Sequence, residues 1–479
     1  MSTSTSSAND QLRAHLAEIR AKIVTLECEL ATLHNLERIT RAALDSITYP
    51  VLSLPVEITL AVFLHYVGPP IQQYPSQCRE SPLPLTAVCK LWRNIALSYS
   101  ELWPALDGHP PVDSAVLLNL LQARLSRVGS TNFRINMPLP ISSSEDKILP
   151  ILAPYFPQLQ SLQLTLAGPI SFPTEAGNVI PLPALEALQI NGEDWPQDKT
   201  GQISLPYAPR LRDVWLWDTA RVSLPWSQLT FLGLQGLSLT DCLGVLQQTS
   251  QLGTLKIDAE SDDAAHGTPI ELRYLRAICS ATCPVINHLI LPVVEDLEIQ
   301  LFTDEVNATV HNLTARSGCT LNRLRLRSPM GLMVVEQCIR PLQRLRALSL
   351  TSCRGYFHEW VSFLQQISKG ELLPELEVFL LDGMEGEIPI SALLTMLKAR
   401  ANPPEGIAQF KAFRCSHWQE PWNEMDSQHT AERIRELRAE GMSVEIGWGP
   451  GWFRGTSNII SSSPSKRQNL IIADTSYFG

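Results

Sequence analysis

Pro157-Gln158-Leu159-Gln160-Ser161-Leu162-Gln163-Leu164 is followed by Pro183-Ala184-Leu185-Glu186-Ala187-Leu188-Gln189-Ile190, then by Pro209-Arg210-Leu211-Arg212-Asp213-Val214-Trp215-Leu216. The three stretches share one string. A leucine stands two residues after a proline, with apolar residues three and five places beyond it. Both intervals are 26 residues. The string returns at Pro374-Glu375-Leu376, with Phe379 and Leu381 in the later places. Without the proline it appears at Leu229, Leu252, Ile286, Leu321 and Leu345, and a second register at Val294 competes with Ile286. Apolar residues two apart share one face of a strand. In a chain this rich in leucine the bare string arises by chance, so the proline and the equal steps carry the weight.

These stretches resemble the leucine-rich repeat, in which each unit supplies a short strand and a helical or extended return, with a period of roughly 20–29 residues. The resemblance implies an α/β body over 112–454, a solenoid of parallel strands in which each repeat buries its leucines against its neighbours. The family's Asn/Cys position, eight residues after the first leucine, is filled only by Cys353, and the later steps are irregular. The repeats are therefore degenerate. Helices are expected over 113–127, 145–156, 241–249, 271–279, 332–340, 356–368 and 431–440. Strands are expected over 133–137 and 444–446, with Trp448, Trp452 and Phe453 covering the last repeat.

Positions between the leucines are expected to point away from the core, mostly to the concave face. They include Gln160, Ser161, Gln163, Glu186, Ala187, Gln189, Arg212, Asp213, Trp215, Arg323, Arg325, Arg346 and Ser349. Trp215, Arg212, Arg323, Arg325 and Arg346 are the candidate substrate-binding residues, because tryptophan and arginine favour interface hot spots. A loop covering Trp215 is the alternative.

A second informative stretch precedes the repeats. Leu54-Pro55-Val56-Glu57-Ile58, with Phe63 downstream, opens a helix: proline suits a first turn and Glu57 favours the helix dipole. Ile58, Val62 and Tyr66 make one apolar face, widened by Phe63 and Val67. Gly68-Pro69-Pro70 ends it. After a loop to about Pro84, Leu85, Val88, Cys89, Trp92, Ile95 and Ala96 share one face of a second helix, with Lys90, Arg93 and Asn94 opposite. Leu102-Trp103 follows. The combination resembles the F-box, in the variety common in mushroom-forming fungi, where a coiled-coil helix often precedes it. The loop at 68–84 is longer than a compact F-box needs. The resemblance implies a domain over 50–107 that docks on the Skp adaptor of a Skp–cullin–F-box ubiquitin ligase. Leu54, Pro55, Ile58, Val88 and Trp92 match the family's motif as adaptor-binding positions. The bland alternative is a helical hairpin whose tryptophans are all core.

Residues 10–45 hold neither glycine nor proline. Leu12, Leu16, Ile19, Ile23, Leu26, Leu30 and Leu33 alternate in steps of four and three, a heptad stripe of about three heptads. It ends where Glu37 takes the next apolar place, and Asp10 is a candidate N-cap. The stripe points to self-association through residues 12–33 or to a partner helix; a helix folded back on its own protein is the alternative. Residues 1–9 and 455–479 read as disordered.

The 479 residues carry a net charge of −10, which argues against general nucleic-acid binding because phosphate neutralisation needs a basic surface. No secretory h-region and no membrane-length apolar run is visible, so the expectation is an intracellular protein, cytoplasmic or nuclear. The ten cysteines form no CxxC pair. Cys279 and Cys283 with His288 nearby lack the second ligand pair a structural zinc wants. His417, Trp418, Glu420 and Asp426 read as a solvated loop. No G-x-S-x-G, P-loop or H-E-x-x-H occurs, and no cofactor is implied. The F-box and leucine-rich-repeat resemblances imply a substrate receptor without its own catalytic site, binding an adaptor, a cullin complex and an unknown protein substrate. A coiled-coil and leucine-rich-repeat scaffold outside the ubiquitin pathway is the rival.

Overall fold

A computed structural model describes residues 4–45, 50–68, 81–107, 113–129, 131–141, 147–166, 172, 174–175, 178–192, 203–205, 207–219, 222–260, 268–280, 283–300, 306–327, 331–384, 388–417 and 424–448. The chain is mixed α/β, with thirteen α-helices and one large parallel sheet among these residues. It divides into two compact units, 1–103 and 104–479.

The first unit begins with α1, Ser4–Asp45. The helix starts before Asp10, so Asp10 is not its N-cap, and residues 4–9 are helical rather than disordered. Every side chain described between 13 and 44 is exposed. Then come α2 (Val56–Val67), α3 (Leu83–Val88) and α4 (Lys90–Ser98). The single helix expected over 85–96 is broken at Cys89. Its backbone is extended, and its Sγ accepts the Trp92 N–H at 3.4 Å, capping α4. Arg93 Nε donates to Thr86 O at 2.8 Å, tying α4 back to α3.

The second unit starts earlier than the sequence suggested. Ala105–Asp107, expected within 50–107, is a strand paired with Phe133–Asn136 and joins the large sheet. That sheet has 15 strands. All of its pairings are parallel, and spatial order along its main path follows chain order.

Register explains which leucines matter. Ser161 pairs with Ala187 and Ala187 with Asp213. From Asp213 the same row runs through Phe231, Thr254, Ala277, Asp296, Arg323, Ala347, Val378, Ala412 and Ser443. Two residues before each of the first eleven members of this row stands a buried apolar residue. These are Leu159, Leu185, Leu211, Leu229, Leu252, Leu275, Val294, Leu321, Leu345, Leu376 and Phe410. Each fully buried leucine contributes about 1.5–3 kcal/mol. The Val294 register is therefore the real one, and Ile286 belongs to the short helix Cys283–Asn287. Leu275 falls within the helix expected from sequence over 271–279. Instead Leu275 N–H donates to Leu272 O across a turn, and Ala277–Ser280 is a strand.

The recurrent proline has a local cause. Leu185 N–H reaches Leu182 O at 3.2 Å, Leu211 reaches Ala208 at 3.2 Å, and Leu376 reaches Leu373 at 3.1 Å. Pro183, Pro209 and Pro374 occupy the second place of these four-residue turns, where their fixed φ suits the chain. Pro157 instead lies in the 3-10 helix Ala153–Gln158.

The returns bury one face in the same core as the strands. Ser114–Val128 does so with Leu117, Leu121 and Leu125, leaving Val116 exposed. Leu239–Leu246, Leu332–Ile339 and Phe357–Lys369 match expectation, while Val306–Ser317 and Ile390–Ala401 had not been expected. The last helix runs over Glu424–Ala439 and the last strand over Ser443–Trp448. Trp452, Phe453 and the tail 455–479 lie outside the described residues. Arg400 is wholly buried; its Nη2 donates to Leu376 O at 2.7 Å and Leu373 O at 3.2 Å, and its guanidinium lies 4.7 Å from the Phe410 ring centre. Burial pushes it down to about 10, so it stays protonated at neutral pH. Arg316 serves the Ile286 and Leu289 carbonyls in the same way.

Candidate protein-interaction surfaces

In the first unit the core is built by Phe63, Val67, Leu85, Ile95, Ala96, Leu102 and Trp103. Trp103 Nε1 donates to Ala96 O at 2.7 Å, so its indole is satisfied as well as buried. On α2 the buried residues are Thr59, Phe63 and Val67, one turn apart on one face. Of the apolar face read from sequence, Ile58, Val62 and Tyr66 are exposed, whereas Phe63 and Val67, which widen it, are buried.

Of the motif positions, Leu54 is 38% exposed, Ile58 51% and Val88 60%. Pro55 is exposed and caps α2, where its carbonyl accepts the Thr59 N–H at 3.0 Å. Trp92 differs from them. It packs edge-on against Phe63 at 4.9 Å between ring centres, and its buried Nε1 meets no hydrogen-bond partner among the described residues. It acts first as a wedge between α2 and α4. Leu91, not singled out from sequence, is exposed beside it. Among the described residues, ten large apolar side chains between Val51 and Leu97 are exposed; the second unit, more than three times longer, exposes seven.

The sheet carries the second candidate surface. The string buries its apolar places and turns the alternate ones outward, but not uniformly. Gln160, Gln163, Glu186, Ala187, Asp213 and Trp215 are half-buried, whereas Ser161, Gln189 and Ser349 are buried rather than open. Side chains on adjacent strands stand close enough to cover a small neighbour.

The arginines are engaged within the sheet. Arg323 meets Asp296 at 3.2 Å, and Arg325 and Arg327 both meet Glu298, at 2.7 and 3.2 Å. Asp296 pairs with Arg323, and Glu298 with Arg325, across one strand boundary. Burial lifts the Asp296 carboxyl above its ordinary value, with Arg323 opposing. Arg346 lies 3.9 Å from Glu375 at an exposed site, and Arg212 donates to the Leu211 and Gln228 carbonyls. The arginines therefore shape the face before they offer it to a partner.

Trp215 heads an aromatic platform. It stacks on Trp217 at 5.3 Å and 11°, and meets Phe231 at 5.2 Å. Lys256 Nζ stands 5.5 Å from its ring centre, and Trp217 Nε1 donates to Gln235 Oε1 at 2.8 Å. Gly233 pairs with Trp215 in the ladder, and a Cβ there would come within 2.2 Å of the indole. The indole lies over the bare glycine. Gly233→Ala should displace it, with a loss of about 1–3 kcal/mol and a shifted tryptophan emission. Denaturant unfolding followed by fluorescence checks this; unchanged stability and emission would show that the platform does not rest on Gly233.

The thiols are quiet. Burial first, and then a neighbouring carboxylate, pushes Cys279, Cys353 and Cys415 up to about 12, which keeps them protonated at neutral pH. Cys279 lies on the strand Ala277–Ser280, and the Cys283 and Asp426 side chains, with Trp418 and Glu420 entirely, lie outside what is described. No group of three His, Cys, Asp or Glu that could hold a metal occurs among the described residues. No described helix is long and apolar enough to cross a membrane.

Fold and surfaces together define an α/β protein with a long parallel sheet and a separate small helical unit. No family model matches the chain, and no curated protein matches it in sequence.

Proposed function

We propose that this chain is an F-box substrate receptor, in which residues 50–103 dock on a Skp-type adaptor of a cullin ubiquitin ligase. The body is read as a degenerate leucine-rich-repeat solenoid that holds a protein substrate. The chain itself performs no chemistry in this reading, needs no cofactor, and works inside the cell. One observation carries it: the small helical unit has a closed core yet leaves Leu54, Ile58, Val62, Val88 and Leu91 exposed. Soluble domains rarely expose large apolar patches without a partner to cover them. Those side chains include three of the five positions that match the F-box motif. On the body, the Trp215 platform is the stronger substrate candidate, because Arg323 and Arg325 are already paired.

The test is capture of the intact chain from cells, with retained partners identified by mass spectrometry. Adaptor and cullin are expected with the native chain. Ile58→Glu and Val88→Glu change only exposed positions, so they should lose the adaptor while keeping the helical content. Partners bound to the body with no adaptor or cullin would favour the scaffold reading, for which the exposed α1 stripe speaks.

A further inference from the structure

α1 carries a stripe that nothing in the described chain covers. Leu16, Ile19, Ile23, Leu26, Leu30 and Leu33 are 44–63% exposed. Six such side chains on one helix face cost free energy in water unless a partner buries them. The charges beside the stripe say which partner, and in which direction.

In the heptad frame Leu16, Ile23 and Leu30 take the a places, and Ile19, Leu26 and Leu33 the d places. Arg20 and Glu27 then fall at e, and Lys22 and Glu29 at g. The cations lie in the first half of the stripe and the carboxylates in the second. In a parallel pair, g meets e one heptad on. Lys22 would meet Glu27, but Arg20 would face His15 and Glu29 would face His34. Reversing one helix sets a against d, e against e and g against g. With Leu16 opposite Leu33 the register closes on itself. Ile19 meets Leu30 and Ile23 meets Leu26, while Arg20 meets Glu27 and Lys22 meets Glu29, each twice by symmetry. Only the outer e places are less favourable, where Arg13 meets His34. The Lys22–Glu18 pair within the helix, at 3.2 Å, is fully in solvent and weak enough to exchange.

We propose that α1 binds a second copy of this chain as an antiparallel two-helix coiled coil centred between Val24 and Thr25. The site is isologous, since the same face serves both copies. It stands whether or not residues 50–103 bind an adaptor.

The intact chain tests it in two steps. Sedimentation at roughly 100 μM, above a Kd of a few micromolar, should give twice 53.3 kDa. Arg20→Glu with Lys22→Glu should give the single mass. Exchanging all four charges, by adding Glu27→Arg and Glu29→Lys, should restore the double mass. Direction is read by disulfide trapping in a Cys28→Ser background, with that parent as control. Leu16→Cys chains mixed with Leu33→Cys chains should crosslink to each other. Neither should crosslink to itself, because in the antiparallel pair the two copies of position 16 lie roughly 25 Å apart along the axis. A single mass for the native chain, or Leu16→Cys chains crosslinked to one another, would overturn the proposal.

Discussion

Phe63→Ala is expected to unfold the helical unit while the sheet stays folded. Phe63 is wholly buried and stands edge-on to Trp92, in a small core with seven buried hydrophobic side chains among the described residues. Removing a buried phenyl costs about 3–5 kcal/mol, and a core this small has no more than that to lose. Amide exchange over 56–67 and 90–98 should become unprotected, with 159–166 and 213–217 unchanged. Adaptor binding should vanish with it. Protection that survives in 56–67 would mean that Phe63 does not hold α2, and the division of the unit into core face and exposed face would be wrong.

The second large effect is expected at Phe379→Ala, deep in the body. Phe379 is wholly buried and touches Phe363, Phe410 and Phe413, with ring centres 6.4, 6.5 and 5.8 Å away. It joins a helix, its own strand and the next strand. The loss should again be about 3–5 kcal/mol, but unevenly spread. Strands in this sheet neighbour one another in chain order, so the damage should run towards Ala412–His417 and Ser443–Trp448. Exchange should quicken there before it does at 187–191. A uniform loss across the sheet would show that the body unfolds as one unit.

The sequence spoke most clearly where one residue had one job. Pro183 and Pro209 sit in turns whose hydrogen bonds fix the following leucine, so string and spacing reported true geometry. It failed where a residue other than leucine took a place in the string. The string at Leu275 ends on Ser280, which is buried but invisible to a search for leucines. Phe410 likewise replaces the leading leucine of its strand. In the small helical unit the sequence left open which apolar positions are core. Ile58, Val62 and Tyr66 follow a helical period as well as any core, but they face water, and the core runs through Thr59, Phe63 and Val67. Periodicity marks an apolar face and does not say whether the chain itself covers it. Trp92, the most conspicuous motif residue, turned inward for a related reason: its ring is large enough to close the gap between α2 and α4.

The most direct test of adaptor docking is hydrogen exchange of the intact chain, alone and with purified Skp-type adaptor. New protection is expected at 54–62 and 83–91, where Leu54, Ile58, Val62, Val88 and Leu91 face solvent, with the strands from 159 to 448 unaltered. An adaptor that fails to bind, or that binds while those two segments exchange as before, would contradict it.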